Sequence, residues 1–102
     1  MRLLVFFDLP VKTKKQRKKY TDFRRFLISK GYLMLQYSIY SKILNNRDSA
    51  VDHIKIVKKN VPQEGHIRIM MLTEKQYARM EIIVGGKSKQ EDVTTIEPFI
   101  HL

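Results

Sequence analysis

Two groups of residues in this chain are placed to do chemistry: a lone acid, Asp8, closing an apolar run, and a dense block of Lys and Arg that follows it. Asp8 ends Leu3-Leu4-Val5-Phe6-Phe7 and precedes Leu9-Pro10. A carboxylate there can ligate a hard divalent cation such as Mg2+, which in turn can position water for attack on a phosphodiester. The competing reading is a strand-end Asp that caps the Leu9-Pro10 turn. One carboxylate per chain is thin for a metal centre. No second acid or histidine lies near it in sequence, and Pro10 lacks a backbone donor. On the residues alone turn capping is preferred, with metal binding and catalysis by Asp8 left open.

The basic block is the stronger signal. Lys12, Lys14, Lys15, Arg17, Lys18, Lys19, Arg24 and Arg25 are accompanied by one acid, Asp22. Residues 1–31 carry ten Lys/Arg against two acids, a net of +8, while residues 32–102 carry ten against eight, a net of +2. A local positive field of this kind attracts polyanions, and cations on a helix contact phosphates without reading bases. The alternative, a solvated face that keeps the protein dispersed, accounts for four or five cations better than for eight. The aromatic residues here, Tyr20, Phe23 and Phe26, lie toward the core side. Backbone recognition of a duplex is therefore favoured over base stacking on a single strand.

Other chemistries find little support. Without cysteine there is no disulfide framework, thiolate zinc site or cysteine nucleophile. His53, His66 and His101 share no metal-ligand spacing, and Ser38 has no visible histidine partner. Gly85-Gly86 precedes no helix, so it is not a phosphate loop. Tyr40 and Tyr77 read as packing residues, and the five Met residues as core filler. The apolar N-terminal run is too short for a signal-peptide core and no stretch reaches membrane-span length, so a cytoplasmic protein is expected.

The elements that must carry these residues follow from periodicity. Residues 2–8 predict a buried strand. Residues 12–30 predict a helix, with Thr13 as N-cap, Gln16 completing a capping box and Gly31 as the stop. Tyr20, Phe23 and Leu27 form its apolar stripe. Lys14, Lys18 and Arg25 project opposite, with Arg17 and Arg24 on one flank and Lys15 and Lys19 on the other. Residues 32–44 are one bent strand or two meeting near Tyr37-Ser38, and two is the preferred reading. Asn46 opens a second helix to about Asn60, with Ala50, Val51, Ile54, Val57 and Val61 on one face. Residues 66–72 predict a strand, 73–76 a turn or single helical turn, and 79–84 a last strand. The fold class is thus α+β: an antiparallel sheet in ferredoxin-like βαββαβ order with an additional C-terminal strand. Residues 1–84 form the domain and 85–102 a tail.

Strand patterning adds a prediction about assembly. A sheet covered on one face alternates apolar and polar residues. The first strand instead has Leu3, Val5 and Phe7 on one parity and Leu4 and Phe6 on the other. The strand at 66–72 sets Ile67, Ile69 and Met71 against Met70 and Leu72. Two helices on one face leave the other apolar and open. A homodimer packing sheet to sheet through Leu4, Phe6, Met70 and Leu72 is the expected cover. The last strand is a candidate to cross to the partner. The alternative cover is the C-terminal tail folded back over its own sheet.

Three segments, in order, resemble one family. They are Met1 to Pro10, an apolar strand ending in Asp8; Gly31-Tyr32-Leu33-Met34-Leu35-Gln36-Tyr37-Ser38-Ile39-Tyr40; and His66-Ile67-Arg68-Ile69-Met70-Met71-Leu72-Thr73 followed by Glu74-Lys75-Gln76. Together they resemble CRISPR-associated protein two, the small adaptation subunit, over about residues 1–84. The Thr-Glu-Lys-Gln turn and basic first helix look most like the subtype accompanying single-protein effectors. The resemblance implies a symmetric homodimer of ferredoxin-like protomers. It would bridge dimers of the CRISPR integrase subunit and hold a short double-stranded DNA for insertion as a spacer. It also implies, for several members, a metal-dependent nuclease acting on RNA or duplex DNA, with Asp8 holding Mg2+ at the dimer axis. In that frame Lys12, Lys14, Lys15, Arg17, Lys18, Arg24 and Arg25 clamp phosphates, and Phe99 and Ile100 of the tail dock the integrase partner. An RNA-binding module of similar fold outside the CRISPR system is the remaining alternative.

Overall fold

The structure, a computed structural model, describes residues 1–86. Its elements are β1 (Arg2–Asp8), α1 (Lys14–Ser29), β2 (Leu33–Gln36), β3 (Ile39–Ile43), α2 (Arg47–Lys58), β4 (His66–Leu72) and α3 (Glu74–Ala78). The four strands form one antiparallel sheet in the order β2-β3-β1-β4. This is the α+β, βαββαβ arrangement expected from the sequence, with β1 central and β2 and β4 at the edges.

Local chemistry sets the element ends. The Gln16 amide donates to Thr13 Oγ1 at 3.0 Å and Gln16 Oε1 accepts from the Thr13 amide at 3.0 Å, closing the capping box of α1. Asn46 caps α2 by accepting from the Ser49 amide at 2.9 Å. Gly31, at φ +88°, takes the left-handed turn that ends α1, after which the Tyr32 amide bonds Leu27 O. The β2–β3 hairpin closes through a two-residue turn at Tyr37-Ser38, with Ser38 at φ 64°.

Strand parity divides the molecule. Leu3, Val5 and Phe7 point to one face and pack with Phe23 and Leu27 of α1, Ala50 and Val57 of α2, and Tyr32 and Tyr40. Phe7 is the centre of an aromatic cluster, edge-on to Phe23 at 5.3 Å and 5.7 Å from both Tyr20 and Tyr40. Burying side chains of this size contributes about 1.5–3 kcal/mol each. Val51 and Val61, expected on the core face of the second helix, are exposed.

The opposite face departs from expectation in two ways. First, the helical turn expected as one option at 73–76 runs to residue 78 and packs on the sheet. Thr73 caps α3 through a second capping box with Gln76, and α3 lays Tyr77 over the sheet against Leu4 and Leu72. Arg2 is buried beneath it. Its guanidinium lies 3.7 Å from the Tyr77 ring centroid and is gripped by Glu74 at 2.6 and 3.0 Å. Leu4 is consequently only 2% exposed and Leu72 8%, so the chain itself covers two of the four residues assigned to the dimer face. Met70 stays exposed and Phe6 half-buried.

Second, residues 80–84 pair with no strand among the described residues. A hairpin back onto β4 needs a short loop. Here α3 takes those residues and directs the chain over the second face instead. Ile83 and Val84 are each 90% exposed. The apolar run is a sound strand signal, but a strand forms only against a partner edge.

Candidate nucleic-acid interface

The inward stripe of α1, anchored by buried Phe23 and Leu27, fixes where its cations go. Lys12, Lys14, Lys15, Arg17, Lys18, Arg24 and Arg25 are all exposed, so the structure brings the whole predicted set onto one helix and the turn before it. No acid occupies the first turn of α1. Lys18 pairs with Asp22 at 2.9 Å, an exposed i,i+4 bridge of the kind that contributes little. The surrounding field stays strongly positive.

The cations are not equivalent. Arg17 Nη1 donates to Val11 O at 3.1 Å and to Lys12 O at 3.0 Å. Arg24 Nε donates to the Tyr40 hydroxyl oxygen at 2.7 Å. Among the described residues, the lysines of this face other than Lys18 have no such tether. Tyr40, expected only to pack, both fills the core and holds Arg24. Beside them Tyr37 stands 79% exposed at the β2–β3 turn. A hydrogen bond with Tyr20 holds the Tyr37 phenol above its usual range, with the Arg24 charge acting in the opposite direction. Sequence reasoning missed Tyr37. The only signal for it is that a turn at 37–38 must put one of its residues at an exposed tip.

Asp8 lies at the exposed end of β1, on the second face with Leu4 and Phe6. Its register partner across β1 and β4 is His66, so an imidazole and a carboxylate share one rung of the sheet. The separation of the two residues in the chain hid this neighbour. Gly65 is pressed against the same corner. A Cβ there would lie 2.8 Å from Asp8 O and 2.6 Å from Leu9 Cδ2, and Gly65 sits at φ +97°. No cluster of three or more His, Cys, Asp or Glu able to hold a metal exists among the described residues. Among the described residues this corner offers Mg2+ one carboxylate, Asp8, so waters or a second copy would supply the remaining oxygens. Phe99 and Ile100 lie outside the described residues. No helix among the described residues is long and apolar enough to cross a membrane.

Comparison with known proteins converges on one group. The family model of CRISPR associated protein Cas2 matches residues 1–80. A "CRISPR-associated endoribonuclease Cas2" of Acidovorax ebreus is 52% identical over 91 residues, covering 89% of each chain. Another so named, of Treponema denticola, is 50% identical over 105 residues and the full length of both chains. Among solved structures, Streptococcus pyogenes Cas2 at pH 6.5 superposes with a TM-score of 0.61 at 20% identity, covering 82% of this chain and all of that one, a likeness of fold. With a matching family model over most of its length and relatives about half identical over 89–100% of both chains, the chain belongs to the CRISPR associated protein Cas2 family.

Proposed function

We propose that this chain is a homodimeric adaptor for double-stranded DNA in CRISPR spacer acquisition, bridging dimers of the integrase subunit in the cytoplasm. The observation that carries the reading is the exposed, nearly acid-free cationic face of α1. Cations spread along a helix match a phosphate backbone irrespective of base sequence. Self-association is supported by apolar surface that stands open among the described residues. Met70 and Leu33 lie on the second sheet face, β4 is an edge with no partner among the described residues, and Ile82, Ile83 and Val84 stand exposed beyond α3. The segment 80–84 would cross to the partner and extend its sheet. The dimer face is then Phe6 and Met70, with Tyr77, Leu4 and Leu72 buried just beneath. Phe99 and Ile100 of the 85–102 tail would dock the integrase. Family membership leaves no place for an RNA-binding module outside the CRISPR system.

A second reading has its own support: the relatives are named endoribonucleases, and Asp8 faces the side on which two copies would meet. Two Asp8 carboxylates across that axis would hold Mg2+, with His66 beside each. The ion, when bound, supplies charge neutralisation at the phosphate and an activated water. Asp8 would orient that water, and His66 is placed to carry a proton. The substrate would be RNA or duplex DNA.

One experiment separates the readings: spacer acquisition in cells carrying Asp8→Ala beside cells in which Lys14, Lys15, Lys18 and Arg25 are reversed to Glu. The adaptor reading expects Asp8→Ala to acquire spacers normally and the reversed helix to lose acquisition by roughly tenfold or more. Acquisition abolished by Asp8→Ala and spared by the reversed helix would overturn it in favour of the enzyme.

A further inference from the structure

Seven exposed cations could contact a duplex with equal weight, but the structure gives two of them a fixed direction. Arg17 is tied by Nη1 to the carbonyls of Val11 and Lys12, and Arg24 by Nε to the Tyr40 hydroxyl. In each case one side of the guanidinium is bound by the protein. For Arg24 both Nη groups, and for Arg17 Nη2 and Nε, have no protein partner among the described residues and lie on an exposed residue. The two arginines are seven positions apart on α1 and therefore almost in line on one flank. At about 1.5 Å of rise per residue their stems are roughly 10 Å apart along the helix. One strand of a B-form duplex advances about 3.4 Å per phosphate along its axis, so roughly 10 Å spans about three nucleotides.

We propose that Arg17 and Arg24 are pre-oriented contacts for two phosphates of one duplex strand, about three nucleotides apart, and that Tyr40 is the positioning residue for Arg24. The inference rests on the duplex reading above and refines it. The untethered lysines supply field and counterion release, while the two arginines supply register. A guanidinium held by its own protein loses less rotamer freedom on contact than a free ammonium. Tyr40 can hold Arg24 because its ring is fixed in the core, 1% exposed and 5.7 Å from Phe7, so that only its hydroxyl reaches the α1 flank. Tyr37, 79% exposed at the β2–β3 turn, lies close enough to Arg24 for the Arg24 charge to act on its phenol.

The test measures affinity for a blunt DNA duplex of mixed sequence, with the full chain, for Tyr40→Phe, Arg24→Lys, Arg17→Lys and the double variant Tyr40→Phe/Arg24→Lys. Tyr40→Phe keeps the ring and removes the acceptor, and the Lys variants keep the charge and remove the fork. Each single variant is expected to weaken binding roughly three- to tenfold with little change in salt dependence, since no charge is lost. The double variant is expected to bind no worse than Arg24→Lys, because a lysine has no Nε for Tyr40 to hold. Wild-type affinity in Tyr40→Phe, or losses that multiply in the double variant, would overturn the positioning role. Wild-type affinity in both Lys variants would overturn the phosphate contacts, and Arg24→Lys, on the exposed surface, keeps that test open should Tyr40→Phe disturb the core. The reversed-helix variant is measured alongside. If it too binds the duplex fully, the duplex reading itself falls, and this refinement with it.

Discussion

His53 shows how a single residue makes stability depend on pH. Burial lowers its pKa from the ordinary 6.5, the Lys42 charge pushes the same way, Asp52 opposes and Lys30 adds to the lowering. Its Nδ1 is buried with no protein partner among the described residues, next to the Tyr32 ring at 6.3 Å. A folded-state pKa below the unfolded value means that the unfolded chain takes up the proton first. The contribution is intact above about 6.5 and is lost as pH falls below it. Thermal midpoints measured from roughly pH 7.5 down to about 5 should fall less for His53→Leu than for the unsubstituted chain. Equal falls would remove His53 from the account. At this scale the sequence is legible wherever the interaction is local. The Thr13–Gln16 capping box follows from spacing, and so does the outward direction of Lys14, Lys18 and Arg25. The bond from Arg24 to Tyr40 and the pairing of Asp8 with His66 do not. Both depend on strand register, which brings together residues that no spacing rule connects.

Among the elements, α3 is the one that periodicity understates. Five residues carry too little pattern to distinguish a turn from a helix, yet this short helix closes one end of the second sheet face. Its hold comes from Tyr77 over Leu4 and Leu72 and from the buried Arg2 beneath the ring, paired with Glu74. Truncating a large buried aromatic costs about 3–5 kcal/mol, and uncovering Arg2 removes its cation–π contact as well. Tyr77→Ala should therefore lower the denaturation free energy by about 3 kcal/mol and expose apolar surface around Leu4 to a hydrophobic dye. A change below about 1 kcal/mol would mean that α3 is not anchored as described. The longer elements are legible because each shows its period over two or more turns or a full strand. Residues 79–84 mislead for the opposite reason: an apolar run is visible in the sequence, but the edge it must pair with is not.

The whole molecule is a sheet with two apolar faces, with the two long helices α1 and α2 on only one of them. The parity of Leu3 to Phe7 alone reveals that asymmetry, and α3 then covers part of what the parity leaves open. The remainder, with Met70 and Ile83 exposed, predicts a sedimenting mass of two chains, reduced to one by the paired change Met70→Lys and Ile83→Lys. A single-chain mass for the unsubstituted protein at high concentration would remove the dimer. Two protomers would then present two copies of the α1 cationic face to one polyanion. The most direct measurement of that claim is duplex affinity as a function of salt. The account predicts that log affinity falls linearly with log salt, with a slope steeper than about −3, independent of duplex sequence. Reversing Lys14, Lys15, Lys18 and Arg25 should flatten the slope. A slope near zero, or one that the reversed helix leaves unchanged, would contradict the account.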